Sequence, residues 1–191
     1  MRRLILVRHA APEVQPDLPA RDWPLSADGR IQAERLATRL TSLYTPAVVF
    51  SSPERKAFET AGLIACAFGL KVERVADLRE HDRGGAGYLG ADAFAAAITR
   101  FFARPEELVF GRETAAQAGA RFAAAVRELS ARTPDRDILL VTHGTVLTLY
   151  AAAVAGIEPL PFWRGLGMPA AVVLSLPDHR PLQRLQPPWP A

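Results

Sequence analysis

Two histidines in this chain stand directly after apolar runs, His9 after Leu4-Ile-Leu-Val-Arg8 and His143 after Ile138-Leu-Leu-Val-Thr142. An apolar stretch that ends abruptly in polar groups reads as a buried strand delivering chemistry at its C-terminal end. Arg8 itself, Arg55 just after Ser51-Ser-Pro53, and Glu80 within the charged Arg79-Glu-His-Asp-Arg83 fall at comparable positions. Two imidazoles, two guanidiniums and a carboxylate converging on one crevice would suit phosphoryl transfer. Guanidiniums grip phosphate or carboxylate oxygens through several donors. A neutral imidazole is a nucleophile toward phosphorus, and surrounding cations lower its pKa and stabilise the equatorial oxygens in the transition state. Glu80 would supply the proton for the departing oxygen, with Asp82 as its rival in the same loop.

Two neighbours strengthen this reading. Gly144 would let the backbone approach an anion at a helix start. Arg55, in the first turn of a helix, would oppose the helix dipole unless an anion offset it, which favours a place in the pocket.

The elements that position these groups follow from the apolar pattern. After the first strand, residues 10–24 are polar, proline-bearing and aperiodic, as expected of a long functional loop at a strand end. Ser26 is placed to cap a helix in which Ile31, Ala33, Leu36, Ala37, Leu40 and Leu43 recur at helical spacing. A short strand at 47–50 precedes a helix stopped by Gly69, and a further strand is expected at 71–75. Residues 76–90 read as a loop over the site. Helices are expected at 92–102, 114–132 and about 145–155, and strands at 137–142, 170–176 and 181–185. This alternation predicts an α/β fold: a three-layer α/β/α sandwich, its sheet mostly parallel with helices on both faces and an antiparallel edge strand. Ligands of such sheets sit beyond the strand C-termini, where both histidines fall.

The totals agree. The chain has 191 residues, 49% of them apolar and 23% charged, which suits one globular domain spanning 1–191, with 76–111 as a lid or insertion. No apolar run approaches the roughly 20 residues of a membrane span, and the run before Arg8 is too short for a secretory signal, so a cytoplasmic protein is expected. A formal excess of three positive charges, with scattered arginines, argues against nucleic acid and is compatible with a small anionic substrate. Cys66 reads as a small buried hydrophobe. His81 reads as a loop-surface or pocket-rim residue and His179 as part of a surface turn. Trp23, Trp163 and Trp189 read as packing anchors, the first two also as possible linings of a substrate entrance. The proline-rich end, 187–190, reads as a frayed tail. Neither a Gly-x-Gly-x-x-Gly after the first strand nor a Walker-type loop occurs, which removes the usual nucleotide-cofactor signatures.

In order along the chain, Leu6-Val-Arg-His9, Ser51-Ser-Pro-Glu-Arg55 with Thr60-Ala61, Leu78-Arg-Glu80 and Val141-Thr-His-Gly144 resemble the four signatures of the histidine phosphatase superfamily, the phosphoglycerate-mutase-like proteins. Pro24-Leu25-Ser26 with Asp28-Gly29 and Gln32-Ala33 resembles the opening of that family's first helix, and Gly111-Arg-Glu113 with Arg121 its later helix. The resemblance implies that His9 is phosphorylated during turnover, that Arg8, Arg55 and His143 form the phosphate pocket, that Glu80 is the proton donor, and that no metal or cofactor is required. Where family members carry a glycine after the histidine and an asparagine six residues past it, this chain has Ala10 and Gln15, whose amide would be a further phosphate contact. The Ala10-Ala11-Pro12 form resembles the phosphatase branches, and the short chain favours hydrolysis over mutase activity. A phosphoglycerate mutase and a non-catalytic phosphate-binding module are the alternatives.

Overall fold

The computed structural model describes residues 1–87 and 89–189. Its six strands are β1 (Arg2–Arg8), β2 (Val48–Ser51), β3 (Val72–Arg74), β4 (Ile138–Thr142), β5 (Ala170–Leu176) and β6 (Pro181–Leu185). They form one sheet in the order β3-β2-β4-β1-β5-β6. The pairs β1·β4, β2·β4 and β2·β3 are parallel, whereas β5 is antiparallel to both β1 and β6. The edge strand β6 therefore pairs antiparallel as expected, and the one strand running against the rest, β5, lies inside the sheet.

Among the described residues six α-helices accompany the sheet, α1 (Ala27–Thr41), α2 (Arg55–Phe68), α3 (Ala91–Ala103), α4 (Ala115–Arg132), α5 (Gly144–Ala155) and the short α6 (Pro159–Arg164), with single 3-10 turns at Ala20–Asp22 and Ala76–Leu78. Helix α6 has no sequence counterpart in the expectations above, because six residues with two prolines show no helical period. Ser26 caps α1 by accepting from the Gly29 N–H at 3.0 Å, and Gly69 ends α2 at φ 65°.

Alternation along β1 decides the layering. Leu4 and Leu6 face a core shared with Phe122, Val126, Val146 and Leu147 of α4 and α5, while Ile5 and Val7 face Leu36, Leu40, Ala61 and Ile64 of α1 and α2. Every one of these side chains is fully buried, the Leu, Ile, Val and Phe side chains each contributing roughly 1.5–3 kcal/mol relative to exposure. A smaller cluster of Ile98, Phe101, Phe102 and Trp163 ties α3 to α6 above the strand ends.

Three expectations about packing are corrected. Ile31 turns to solvent because a helix of this period has room for Ala33, Leu36, Ala37 and Leu40 on its inner stripe but not for a residue two places earlier. Cys66 is exposed on the outer face of α2, between the inward Ala65 and the helix end. The C-terminal segment is docked: Trp189 is 7% exposed and packs into the α1/α2 core, its apolar area outweighing the proline-rich character of its neighbours. Pro190 lies outside the described residues. No described helix is long and apolar enough to cross a membrane.

Candidate active site

The register of two strands creates the centre of the site. β1 and β4 pair in parallel with Arg8 opposite Thr142, so the residues that follow, His9 and His143, leave the sheet side by side. The His9 N–H donates to the Thr142 carbonyl at 2.9 Å, and the two imidazole centroids stand 5.0 Å apart at an interplanar angle of 64°. Both rings are buried.

Hydrogen bonding assigns the proton on the His9 ring. His9 Nδ1 lies 2.8 Å from the Ala10 carbonyl, an acceptor only, so Nδ1 carries the hydrogen and Nε2 keeps its lone pair. His143 Nε2 lies 2.7 Å from Ser52 Oγ, which itself accepts the Glu54 N–H at 3.2 Å. His143 Nδ1 is buried without a partner among the described residues. Burial, reinforced by each other's proximity and by Lys56, holds His9 well below the ordinary imidazole pKa; burial and then Lys56 do the same for His143. Both rings are neutral near pH 7, and an unprotonated Nε2 on His9 is a nucleophile.

Cations surround the pair. Arg8 Nη1 donates to the Leu166 carbonyl at 2.6 Å, while its Nε is buried and unpartnered among the described residues. Burial lowers the Arg8 pKa to about 10, with Glu80 opposing and Arg83 adding to the shift, and the guanidinium stays charged. Gly144 is glycine here for a geometric reason: a Cβ would come within 2.9 Å of Arg8 Nε and 3.4 Å of the Trp163 indole nitrogen. Its lack of a side chain makes room for Arg8.

Arg55 is not part of this cluster. Its Nε pairs with Glu59 Oε1 at 2.9 Å, one turn along α2, and its side chain is 55% exposed. The dipole argument for an inward arginine fails because Glu59, one turn along the helix, supplies the offsetting charge. The next residue takes the inner position: Lys56 is buried, and its Nζ donates to Glu54 Oε2 at 2.7 Å and to the Ala20 carbonyl at 2.8 Å. Helical period was the available signal, since Lys56 shares a stripe with the buried Ala57, Thr60 and Ala61, whereas Arg55 is grouped with Glu59. Glu54 fills the space between strand end and loop, accepting the Glu80 N–H at 2.8 Å with Oε1 and standing 3.5 Å from His143 Nε2.

Glu80 sits at the start of α5, where Oε2 and Oε1 accept from the Thr145 and Val146 N–H groups at 3.2 and 3.3 Å. Burial by itself would raise its pKa; Arg83, foremost among the opposing influences, leaves it below the usual carboxylate range. The loop bearing Glu80 is held by Arg121, which is bidentate to Glu113 at 2.8 Å on both arms and donates to the carbonyls of Asp77, Arg79 and Glu80. Asp82 turns away: Oδ1 accepts the Gly84 N–H, and its carbonyl accepts from Arg112. His81 is deeper than a rim residue, buried between Phe101 and Phe110 with Nε2 2.7 Å from the Glu113 carbonyl. Gln15 contributes its backbone carbonyl to the Trp23 indole at 2.8 Å, and its side-chain amide makes no hydrogen bond among the described residues. Arg83, which the sequence showed only as one member of a charge run, reaches Glu80 Oε2 at 3.4 Å and Thr145 Oγ1 at 3.2 Å.

The structure thus gathers His9, His143, Arg8, Glu80 and Gly144, adds Ser52, Glu54, Lys56 and Arg83, and leaves out Arg55, Asp82 and the Gln15 amide. The described residues contain no group of three His, Cys, Asp or Glu able to hold a metal ion.

Comparison with known proteins identifies the family. The chain is 29% identical over 171 residues to phosphoserine phosphatase 1 of Hydrogenobacter thermophilus, covering 85% of this chain and 81% of the relative. It is 30% identical over 184 residues to a glucosyl-3-phosphoglycerate phosphatase of Mycobacterium tuberculosis, covering 87% and 80%. The solved structure of mycobacterial glucosyl-3-phosphoglycerate phosphatase superposes with a TM-score of 0.74 at 26% identity, over 90% of this chain and 89% of that one. The family model for branch 1 of the histidine phosphatase superfamily matches residues 4–182. The chain accordingly belongs to the histidine phosphatase superfamily, as a phosphoric monoester hydrolase.

Proposed function

We propose that the protein hydrolyses a small phosphorylated metabolite through a phosphohistidine on His9, without a metal ion. The carrying observation is the bond from His9 Nδ1 to the Ala10 carbonyl, which leaves Nε2 as an unprotonated nucleophile beside Arg8 and His143. In this reading Nε2 attacks phosphorus while Arg8, Lys56 and the Nδ1–H of His143 bind the phosphoryl oxygens. The bond from phosphorus to the ester oxygen breaks, and that oxygen takes a proton from the Glu80 carboxyl. Water, giving its proton back to Glu80, then attacks the phosphohistidine and releases inorganic phosphate and free His9. Residues 76–111 cover the site and read the leaving group.

The chemistry of the relatives' named substrates, phosphoserine and glucosyl-3-phosphoglycerate, supports an alkyl phosphate on a small polar molecule. The test is aryl phosphate hydrolysis in EDTA by wild type and His9→Ala, with protein denatured in alkaline detergent assayed for a phosphoryl group that is stable in alkali and lost in acid. Activity and label should both vanish in the variant. A variant that turns over normally would exclude His9 as nucleophile, and phosphate transferred back to a product hydroxyl faster than to water would select a mutase.

A further inference from the structure

Within the proposed phosphohydrolase reading, we infer that Arg83 is a further substrate-binding residue: its guanidinium leaves Glu80 for the phosphoryl oxygens when substrate arrives, and Glu80 then takes up the proton it gives to the leaving oxygen.

Four observations carry this. First, Arg83 enters the site from the segment between Glu80 and α3, and its guanidinium lies 4.7 Å over the Phe94 ring of α3, which directs it at the start of α5. Second, its Nε is buried and unpartnered among the described residues, as is Arg8 Nε, so two guanidiniums around one carboxylate both hold an unspent donor. A buried N–H without an acceptor is costly, and a bound oxyanion removes that cost. Third, its bonds to Glu80 and Thr145, at 3.4 and 3.2 Å, are long for charge-assisted contacts, and its side chain is 32% exposed against 8% for Lys56. It is the pocket cation with least to give up by moving.

The fourth is the charge of the cluster. Arg8, Lys56 and Arg83 face Glu54 and Glu80, with both histidines neutral, leaving one positive charge in excess. A phosphate monoester dianion turns that into one negative charge, and a single proton on a carboxylate restores balance. Glu54 is held by Lys56 and by the Glu80 N–H. Glu80, which faces Arg83, His143 and Glu54, is held in its charged form chiefly by Arg83. Transfer of Arg83 to the phosphoryl group therefore makes Glu80 the carboxylate that accepts the proton, at the position from which it can serve as the acid.

Titration calorimetry with inorganic phosphate at pH 7.5, on wild type, Arg83→Gln and Arg83→Lys, tests this, with thermal unfolding of each variant as the check on folding. Arg83→Gln should weaken phosphate binding by about 10- to 100-fold, as expected for a lost charge-assisted contact, and Arg83→Lys should fall between. The pH profile of kcat/KM should also move upward in Arg83→Gln, because Glu80 keeps its proton to higher pH. A residue that merely props Glu80 would move the profile and leave phosphate affinity unchanged; wild-type affinity in a folded Arg83→Gln overturns the inference. The underlying reading fails separately, if wild type binds no phosphate or forms no label on His9.

Discussion

Lys56 and Glu54 form a buried ion pair, Nζ to Oε2 at 2.7 Å, whose carboxylate also stands 3.5 Å from His143 Nε2. The pair links the first turn of α2 to the loop of Glu80 and sets a cation beside both histidines, the position the sequence suggested for Arg55.

Exchange of these neighbours should separate them. Arg55→Gln removes an exposed ion pair and is expected to leave kcat/KM within about twofold and stability within roughly 0.5 kcal/mol. Lys56→Met should lower kcat/KM by at least about tenfold and destabilise the fold by roughly 3 kcal/mol, because Glu54 is left buried and unpaired. The double variant Lys56→Met/Glu54→Gln should regain much of the stability and none of the activity. Urea unfolding and aryl phosphate kinetics on the four proteins decide it; equal losses from Arg55→Gln and Lys56→Met would contradict the assignment.

Glu80 as the proton donor predicts dependence on the leaving group. A nitrophenolate departs without help, whereas an alkoxide needs a proton in the transition state. Glu80→Gln should therefore slow an alkyl phosphate by about 100-fold or more and an aryl phosphate by far less. Asp82→Asn, whose carboxylate caps its own turn at Gly84, should show no such selectivity. Matched losses on both substrates in Glu80→Gln would remove it from the acid role.

Much of this site was legible in the sequence because its centre rests on strand logic. Apolar runs ending in His9 and His143 belong to parallel neighbours, and parallel register alone brings the two residues together. Helical loci were harder. Adjacent residues on a helix point about 100° apart, so choosing between Arg55 and Lys56 required weighing the inward stripe of Ala57, Thr60 and Ala61 above the residue type. Arg83 and Glu54 were hidden for another reason: their roles depend on how residues 79–87 fold over the strand ends, which no short-range period encodes. The α3·α6 cluster, the docking of Trp189 and the outward Cys66 likewise follow from tertiary packing.

Gly144 predicts a loss of function without a loss of fold. A methyl group there would stand 2.9 Å from Arg8 Nε and 3.1 Å from Cζ, and the guanidinium is the part able to shift. Alanine is a better helix former than glycine at the start of α5, which offsets part of the strain. Gly144→Ala should therefore keep its thermal midpoint within a few degrees while kcat/KM falls by about tenfold or more. An unchanged kcat/KM would show that Arg8 tolerates displacement.

The neutral histidines make stability depend on pH with a definite sign. Burial is the first cause of the depressed pKa of His9, His143 and His81, so in the unfolded chain, where an imidazole titrates near pH 6.5, each binds a proton that the folded state refuses. Their contribution is fully present above about pH 6.5 and is lost as pH falls below it toward the folded-state values. His9 and His143, held well below the ordinary value, each add a slope that approaches about 1.4 kcal/mol per pH unit as pH falls through that window, and His81 adds to it in the same direction. Urea midpoints converted to free energies between pH 7.5 and 5 should fall steadily in wild type. His9→Ala removes one of these protons and should flatten the slope by about one such increment, while Arg55→Gln, which touches none of the rings, should run parallel to wild type. A wild-type profile that is flat across this range would mean that the imidazoles accept protons inside the folded pocket, and the neutral nucleophile assigned to His9 would have to be abandoned.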